Sequence, residues 1–171
     1  MKGHLALVAL LLACSVPTGQ GHPFTVCGGV SDQLTVSAVT LNPDPPQAGE
    51  NLGVNLTGGP TEVAVTGGNT TVEIILFGHT LYTLHYSTCK DFGVACPLSK
   101  GSKWDGGLVY PIPSICPAGV KATVKITISD GSSVLSCVSV DVTVAKKGQV
   151  VDEKIIEDFR RRLDDGEMQL N

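Results

Sequence analysis

Two alternating segments joined by a short turn constrain the fold of this chain most strongly. From Val120 to Ser129 apolar and polar residues alternate without interruption, and Asp130-Gly131 follows as a hairpin signal. From Val134 to Val144 the alternation resumes, with valine at every second position near its end. A period of two gives a strand one buried face and one hydrated face. The pair therefore predicts an antiparallel β-hairpin.

The same succession of strands and turns extends back to Leu34. Short alternating segments are separated by clusters rich in Gly and Pro, of which Asn42-Pro43-Asp44-Pro45-Pro46 is the densest. Pro111 and Pro113 restrict their segment to a sheet edge or a wide loop. Strands separated by turns roughly every ten residues are typical of an antiparallel sandwich or barrel. We expect one all-β domain over residues 22–145.

The apolar residues available to this domain are mainly aliphatic. Hydrophobic residues make up 42% of the chain, but aromatic residues only 5%. Inner sheet faces of Val, Ile, Leu and Ala are compatible with an internal cavity, which large rings would fill. Ordinary packed sandwiches have the same composition, so composition alone does not distinguish a cavity from a solid core.

Residues 1–21 have the pattern of a secretory signal peptide. Lys2 precedes an apolar run of about nine residues, well short of the ~20 that span a bilayer. Cleavage after Ser15 and cleavage after Gly21 are both compatible with the sequence. The residues before Cys14 also loosely resemble a bacterial lipoprotein cleavage box, a less favoured interpretation. We expect a secreted protein or one in the lumen of the endolysosomal or vacuolar pathway.

Two glycosylation sequons agree with this route, and the net charge bears on possible partners. Asn55 and Asn69 each begin a glycosylation sequon, Asn-Leu-Thr and Asn-Thr-Thr. Loss of residues 1–21 leaves 11 basic and 16 acidic residues, a net charge of −5, with no basic cluster. We therefore expect glycans at both asparagines and no nucleic-acid partner.

The cysteines favour disulfides over metal or redox chemistry. Five remain without residues 1–21, and an oxidising compartment makes disulfides the default. Cys89 and Cys96 lie seven positions apart, wider than a Cys-x-x-Cys redox motif and without paired ligands nearby for a metal. We interpret them as a staple that shapes a turn.

The segment 146–171 differs in composition from the rest. It has many charges and no proline, and Val151, Ile155, Phe159 and Leu163 fall four apart. This spacing predicts an amphipathic helix from Val150 to Asp164. The favoured expectation is a surface helix or a disordered tail. A helix docked on the sandwich and a contact for another chain are the alternatives.

An ordered set of short motifs resembles a known family. The set runs from Cys27 through Asn42–Gly49, Cys89…Cys96-Pro97-Leu98…Gly101, Ile112-Pro113 and Pro117-Ala118-Gly119 to Asp130-Gly131…Cys137. It resembles the ML lipid-recognition domain family over about residues 24–144. The likeness is greatest to the phosphatidylglycerol/phosphatidylinositol transfer protein branch, and the secreted Niemann-Pick type C sterol carriers come next.

The resemblance implies an immunoglobulin-like antiparallel β-sandwich with an internal lipid cavity. Such proteins are non-enzymatic carriers without a cofactor, so we expect a phospholipid or sterol ligand, transient contact with membrane surfaces and a monomer. Burying an acyl chain of about 15 methylenes is worth on the order of 10 kcal/mol, so no charged clamp is required. A secreted recognition module with a solid core and no lipid is the alternative.

The resemblance also suggests which residues contact lipid. The inward-facing candidates are Val72, Ile74, Leu76, Tyr110, Ile112, Val124, Ile126 and Ile128. For each of them ordinary core packing is the competing interpretation. Tyr110 and Ile112 are the favoured portal residues. Trp104 is expected either at the rim of the cavity or on the surface against the loop closed by Cys89 and Cys96.

The same layout accounts for most of the cysteines. A bond between Cys27, just before the expected first strand, and Cys137, in the last, would tie the ends of the domain together. By the loop-entropy relation it would contribute roughly 4.8 kcal/mol, against about 2.5 kcal/mol for Cys89–Cys96. Cys116 has no evident partner, although the family often has a third disulfide. A buried free thiol is favoured over a cross-link between chains.

Candidate catalytic residues are few. No recognised nucleophile motif is present, and the acidic residues concentrate in the tail. Cleavage after Gly21 would make His22 the terminal residue, and a terminal His with a second His on a β-sandwich resembles copper-dependent polysaccharide monooxygenases. His79 or His85 would supply the second imidazole. The low aromatic content argues against this, so we expect no catalytic residues and no metal.

Overall fold

The structure, a computed structural model, describes residues 21–27 and 32–167. The predicted signal peptide lies almost wholly outside these residues. The strands are β1 (Thr25–Val26), β2 (Val36–Asn42), β3 (Asn51–Gly58), β4 (Asn69–Leu76), β5 (His79–Ser87), β6 (Trp104–Pro111), β7 (Lys121–Asp130) and β8 (Ser133–Thr143). One helix, α1 (Glu153–Asp164), follows them. Within the described ranges no helix is both long and apolar enough to cross a bilayer.

The strands form two antiparallel sheets. One sheet has five strands in the order β1-β8-β7-β4-β5, and the other has three in the order β2-β3-β6. Strands β7 and β8 form the predicted hairpin, in which Ile126 lies opposite Val138. The predicted antiparallel β-sandwich is confirmed. The prolines act as expected, since β6 is an edge strand that ends at Pro111.

The core lies between the two sheets and is aliphatic. Alternate residues of β3 and β7 point into it, and Leu56, Val72 and Ile126 are each at most 1% exposed. Asn55, on the opposite face of β3, is exposed as the alternation predicts. The hydrophobic effect is worth about 25 cal/mol per Å² of apolar surface removed from water. Burial of these two inner faces therefore supplies most of the stability of the sandwich.

One lateral edge of the sandwich is joined by backbone hydrogen bonds at both of its ends, and we call it the closed seam. Before β2, the amide of Leu34 donates to the carbonyl of Leu135 at 3.0 Å. At the other end Ala48 N donates to Ala145 O at 2.9 Å, and Ala145 N donates to Pro46 O at 2.7 Å. These bonds hold β2 and the following turn against β8 and its continuation.

Both predicted disulfides are confirmed. Cys27 is bonded to Cys137 in β8, with a sequence separation of 110, and Cys89 is bonded to Cys96. The expectation that Cys27 precedes the first strand is wrong, because Cys27 follows the two-residue strand β1. Strand β1 was missed because a pair of residues carries no periodicity. Cys116 is buried and free, which agrees with the favoured expectation.

The loop between Ser87 and Leu98, closed by Cys89–Cys96, covers one end of the opposite edge. Phe92 and Val94 are fully buried, and Phe92 O accepts a hydrogen bond from Gly107 N at 2.7 Å. A side chain at Gly106 would meet the ring of Phe92 at 2.9 Å. Because glycine has no side chain, Phe92 and its loop can pack directly against β6. The buried Phe92, together with this hydrogen bond, therefore attaches the loop to the first half of β6.

The predicted C-terminal helix is confirmed as α1, and it is docked on the sandwich, which was the alternative to a free surface helix or a disordered tail. Phe159 is only 5% exposed, and Ile156 and Leu163 pack against the core. The helix begins after Asp152, whose carboxylate accepts from Lys154 N at 2.9 Å. Of the predicted apolar stripe, Val151 and Ile155 remain exposed.

Candidate functional site

A cavity of about 60 Å³ lies between the two sheets at the end away from the Cys89–Cys96 loop. Its walls are almost entirely apolar. The lining residues are Leu52, Ile74, Leu76, Leu81, Tyr82, Tyr110, Ile112, Pro113, Cys116, Ala122, Val124, Val142 and Val144. Wider depressions exist on the outer sheet faces, but they are shallow and more polar. This interior cavity is therefore the candidate binding site.

Strand register explains why these side chains meet. On the five-stranded sheet Ile74 lies opposite Val124 and Leu76 opposite Ala122. On the other sheet Tyr110 lies opposite Leu52. Alternation sends each of these residues toward the facing sheet. Ala122 contributes the smallest side chain to the lining, between larger neighbours.

The cavity reaches the surface between the edge strands β5 and β6, and we call this gap the slot. The rings of Tyr82 and Tyr110 face each other across it, with centroids 6.3 Å apart and planes tilted by 56°. No backbone hydrogen bond joins β5 to β6 directly among the described residues. The two tyrosines thus close the slot by side-chain contact alone.

The polar groups near the slot are uncharged at neutral pH. Burial, followed by the nearby Tyr82, Cys116 and Tyr86, raises the pKa of Tyr110. Burial also raises the pKa of Tyr82, with a smaller effect from Cys116. Phenols already titrate near 10, so both remain protonated. The slot therefore presents hydroxyl groups and apolar surface but no charge.

Cys116 lies in the cavity wall and is 5% exposed. Burial raises the pKa of its thiol, and the charge of Lys146 partly opposes this shift. A protonated buried thiol is a poor nucleophile and behaves as a small apolar side chain. Its burial also argues against the alternative that it cross-links two chains.

The structure separates the eight candidate lipid-contact residues into two groups. Five of them line the cavity: Ile74, Leu76, Tyr110, Ile112 and Val124. The other three, Val72, Ile126 and Ile128, share the inner face but are packed in the core beyond the cavity. Contact between any of these residues and lipid stays a prediction.

Some lining residues were not anticipated. Leu81 and Tyr82 are consecutive, which a regular strand would place on opposite faces. The pairing of Ile74 with Tyr82 and of Ile75 with Thr80 leaves Leu81 as the extra residue of a β-bulge. The bulge lets both side chains reach the cavity. Only the unbroken apolar pair in the sequence hinted at this.

Trp104 does not lie at the cavity rim or on the surface, so that expectation is wrong. It is 5% exposed, and its Nε1 donates to Thr35 O at 3.2 Å. It begins β6, six residues from Tyr110, or roughly 20 Å along an extended strand. The Cys89–Cys96 loop is likewise at this far end and contributes no residue to the cavity lining.

The histidines are not assembled as the copper hypothesis requires. Nδ1 of His22 is 2.9 Å from a carboxylate oxygen of Asp44, and Nε2 is 2.9 Å from Asp141 O, so both nitrogens are engaged. His79 and His85 lie on β5, three strands from β8, or about 14 Å. No group of three or more potential metal ligands occurs within residues 21–27 and 32–167.

Taken together, the chain is a two-sheet antiparallel β-sandwich whose interior opens through a slot between unpaired edge strands. It matches the ML domain over residues 21–144. The chain therefore belongs to the ML-domain family. Helix α1 lies beyond the matched residues.

Two relatives share this domain. A Dictyostelium discoideum protein named for phosphatidylglycerol/phosphatidylinositol transfer is 30% identical over 120 residues, covering 69% of this chain and 83% of that protein. The phosphatidylglycerol/phosphatidylinositol transfer protein of Eremothecium gossypii is 30% identical over 137 residues, covering 75% of this chain and 62% of its own length.

A solved structure agrees on the fold. A Niemann-Pick type C2 protein from the Japanese carpenter ant superposes with a TM-score of 0.56 at 17% identity. The match covers 71% of this chain and 98% of that one. At this identity the likeness concerns the arrangement of strands.

Proposed function

We propose that this protein carries one lipid with its acyl chains between the two sheets and moves it between membranes without catalysing a reaction. The observation that carries the proposal is the apolar cavity behind the slot. An enclosed apolar interior favours hydrocarbon over water, and burial of about 15 methylenes is worth on the order of 10 kcal/mol. Charged side chains are absent from the lining.

The cavity must expand to accept this ligand. Its volume of about 60 Å³ is well below the roughly 300–1,000 Å³ of ordinary ligand sites. The slot is the place where expansion costs least, because parting β5 from β6 breaks a Tyr82–Tyr110 contact and no backbone ladder. As the sheets separate, a chain that starts at Tyr110 would extend along the inner faces toward Val72, Ile126 and Ile128.

The relatives support a phospholipid over a sterol. Both are named for transfer of phosphatidylglycerol and phosphatidylinositol. In our proposal the headgroup stays at the mouth, where the Tyr82 and Tyr110 hydroxyls are available.

The protein acts as a monomer and contacts membranes transiently. The two disulfides suit a secreted protein or one in an endolysosomal lumen. The exposed Asn55 and Asn69 suit glycosylation.

Native mass spectrometry with lipid extraction tests the proposal. Protein from a secreting host should carry about one lipid per chain and should transfer labelled phospholipid between vesicles. Val124→Phe fills the cavity from its wall and should lower lipid occupancy at least several-fold while the fold is retained. Val134→Phe is a matched control, because Val134 is 37% exposed and outside the cavity.

Two results would count against lipid carriage. Purified protein without extractable lipid and without vesicle transfer would favour a recognition module with a solid core. Equal lipid occupancy in Val124→Phe and Val134→Phe would place the lipid outside the cavity. Circular dichroism and thermal unfolding establish that each variant remains folded.

A further inference from the structure

Helix α1 is seated on the loop between β6 and β7, residues 112–120, which also forms part of the cavity wall. A side chain at Gly119 would lie 2.9 Å from Ile156, so α1 packs directly against the backbone of the loop. The loop is joined to both sheets. Ile112 N donates to the carbonyl of the residue before β3 at 2.9 Å, and Gly119 N donates to that of the residue after β8 at 2.8 Å. The helix therefore rests on a fixed support.

Another side of α1 contacts the turn between β4 and β5. The guanidinium of Arg160 lies 5.9 Å from the centre of the Phe77 ring, within the range of a cation–π contact. One helical turn further on, a carboxylate oxygen of Asp164 is 3.2 Å from Nε2 of His79. Nε of Arg160 is 3.8 Å from the carboxylate of Asp164, so the two helix side chains also orient each other. We call these four residues the clasp.

Helix geometry explains how one element makes both sets of contacts. Successive residues of an α-helix are about 100° apart around its axis, so Arg160 and Asp164 project from one side of α1. Ile156, Phe159 and Leu163 project from an adjacent face and pack against the core. Apolar packing thus holds α1 on the end of the sandwich, and the clasp connects it to the β4–β5 turn.

The turn contains a residue that its backbone conformation disfavours. Phe77 and Gly78 connect β4 to β5, with φ of 49° and 87°. Two-residue turns with positive φ at both positions favour Asn, Asp or Gly. Phe77 is the only non-glycine residue with positive φ in the part of the chain that the structure describes. Its half-buried ring packs against the core and contacts Arg160, and the preferred turn residues would lack these contacts.

The clasp lies at the cavity end of the slot. His79 begins β5 and is three residues from Tyr82, or about 10 Å along the strand. If β5 parts from β6, the β4–β5 turn moves with β5, whereas α1 stays on the loop that both sheets hold. Opening of the slot therefore breaks the clasp in addition to the contact between Tyr82 and Tyr110.

We infer that α1 is a strap that restrains the slot, and that the clasp sets how fast a lipid enters and leaves the cavity. The inference rests on the proposed function and adds a control on its rate. The side chains of His79 and Asp164 are 67% and 41% exposed, and exposed contacts of this kind are individually weak. The clasp therefore slows opening but does not prevent it.

The test measures lipid exchange in the full chain after the clasp is removed. The double variant R160Q/D164N removes both helix side chains of the clasp and leaves the net charge unchanged. The rate at which labelled phosphatidylglycerol leaves the protein for acceptor vesicles should rise about fivefold. Lipid occupancy at equilibrium should stay the same, because the clasp is closed both before entry and after it.

A matched control removes another pair of the same kind from the same helix. The double variant R161Q/D158N also replaces one arginine and one aspartate, which pair with each other and make no contact with the β4–β5 turn. It should leave the exchange rate unchanged. Equal acceleration in both double variants would overturn the inference, since a general loss of helix stability would then account for it.

Hydrogen exchange in lipid-free protein separates this inference from the proposed function. Residues 79–82 should exchange about fivefold faster in R160Q/D164N than in the unmodified protein or in R161Q/D158N, because this end of β5 opens more often. Faster exchange there without any phospholipid transfer would support the strap and overturn lipid carriage. Phospholipid transfer at one rate in all three proteins would overturn the strap and support lipid carriage.

Discussion

The two lateral edges of the sandwich are built in opposite ways. The closed seam is joined by backbone hydrogen bonds from Leu34 to Ala145, and the ring of His22 contacts Asp44 and the β8 carbonyl of Asp141. At the cavity end of the opposite edge the slot has only Tyr82 against Tyr110, and the backbone hydrogen bond between Gly107 and Phe92 lies at the far end of that edge. A sandwich fixed along one edge can open along the other as a hinge does. Rigidity and access to the interior are thereby assigned to different edges.

Removal of each disulfide should have the largest effect and should distinguish the two edges. The double variant C27A/C137A releases a constraint beside the closed seam and should cost about 4.8 kcal/mol of stability, whereas C89A/C96A should cost about 2.5 kcal/mol. Urea unfolding monitored by circular dichroism gives both values. Equal losses, or a larger loss for C89A/C96A, would contradict the difference.

Core truncation should show where packing is tight. Ile126 is 1% exposed and lies away from the cavity, so Ile126→Ala should cost about 3 kcal/mol. Ile74 already borders the cavity and is only half-buried, so Ile74→Ala should cost about 1 kcal/mol and should not reduce lipid uptake. Chemical unfolding together with lipid counting tests the pair. A larger cost at Ile74 would mean that the slot end is packed as tightly as the rest.

Helix α1 should be removable without loss of the sheets. Phe159→Ala removes its only fully buried side chain within the described residues, and we expect about 2 kcal/mol, confined to the helix. Hydrogen exchange should show lost protection over residues 153–164 and retained protection in β7. Ile155→Ala, at an exposed site on the same helix, is the control. Loss of protection in β7 would show instead that the helix and the sandwich unfold together.

The smallest expected effect is a pH dependence of the closed seam. Partial burial lowers the pKa of His22, but its hydrogen bonds to Asp44 and Asp141 and the charge of Asp44 outweigh this, so the pKa is raised. A raised pKa means that the folded state binds the proton more tightly than the unfolded state. The added stability is fully present below the unfolded pKa and is lost as pH rises through the folded pKa.

We expect the contribution of His22 to be under about 1 kcal/mol, because the pair is near the surface. Unfolding free energies measured between pH 5 and 8 should fall more steeply for the unmodified protein than for His22→Gln. His85→Gln, which removes an exposed imidazole on β5 away from the closed seam, serves as the control for loss of a histidine. Identical slopes for all three proteins would show that the hydrogen bonds of His22 do not contribute to the stability of the closed seam.

The sequence predicted the sheets better than it predicted the gap between them. The β7–β8 hairpin was recognisable because one wet face and one dry face force a period of two. The first half of β6 has no periodic signal, since Gly106 and Gly107 interrupt the pattern where Phe92 and Asn55 approach the strand closely. Periodicity identifies the inward face of a strand but not how far the facing sheet is. It could not separate Ile74 from Ile126.

The docked helix and the slot depend on long-range geometry. The apolar stripe from Val151 to Leu163 predicted a helix, but an amphipathic pattern does not indicate which part of the protein the apolar face packs against. In the structure Ile156, which is not part of that stripe, packs toward Gly119 while Ile155 faces out. The β-bulge at Leu81 is similarly invisible in a single sequence, because it depends on the register of β4 against β5.

Chemical labelling of the Cys116 thiol offers a way to measure how often the sandwich opens. It lies behind the slot and is the only free cysteine among the described residues, so a small thiol reagent reaches it only while the interior is exposed. The labelling rate then reports how often that exposure occurs, and a bound acyl chain should slow it. The labelling rate of Cys116 therefore measures how often the sandwich opens, with no probe added to the protein.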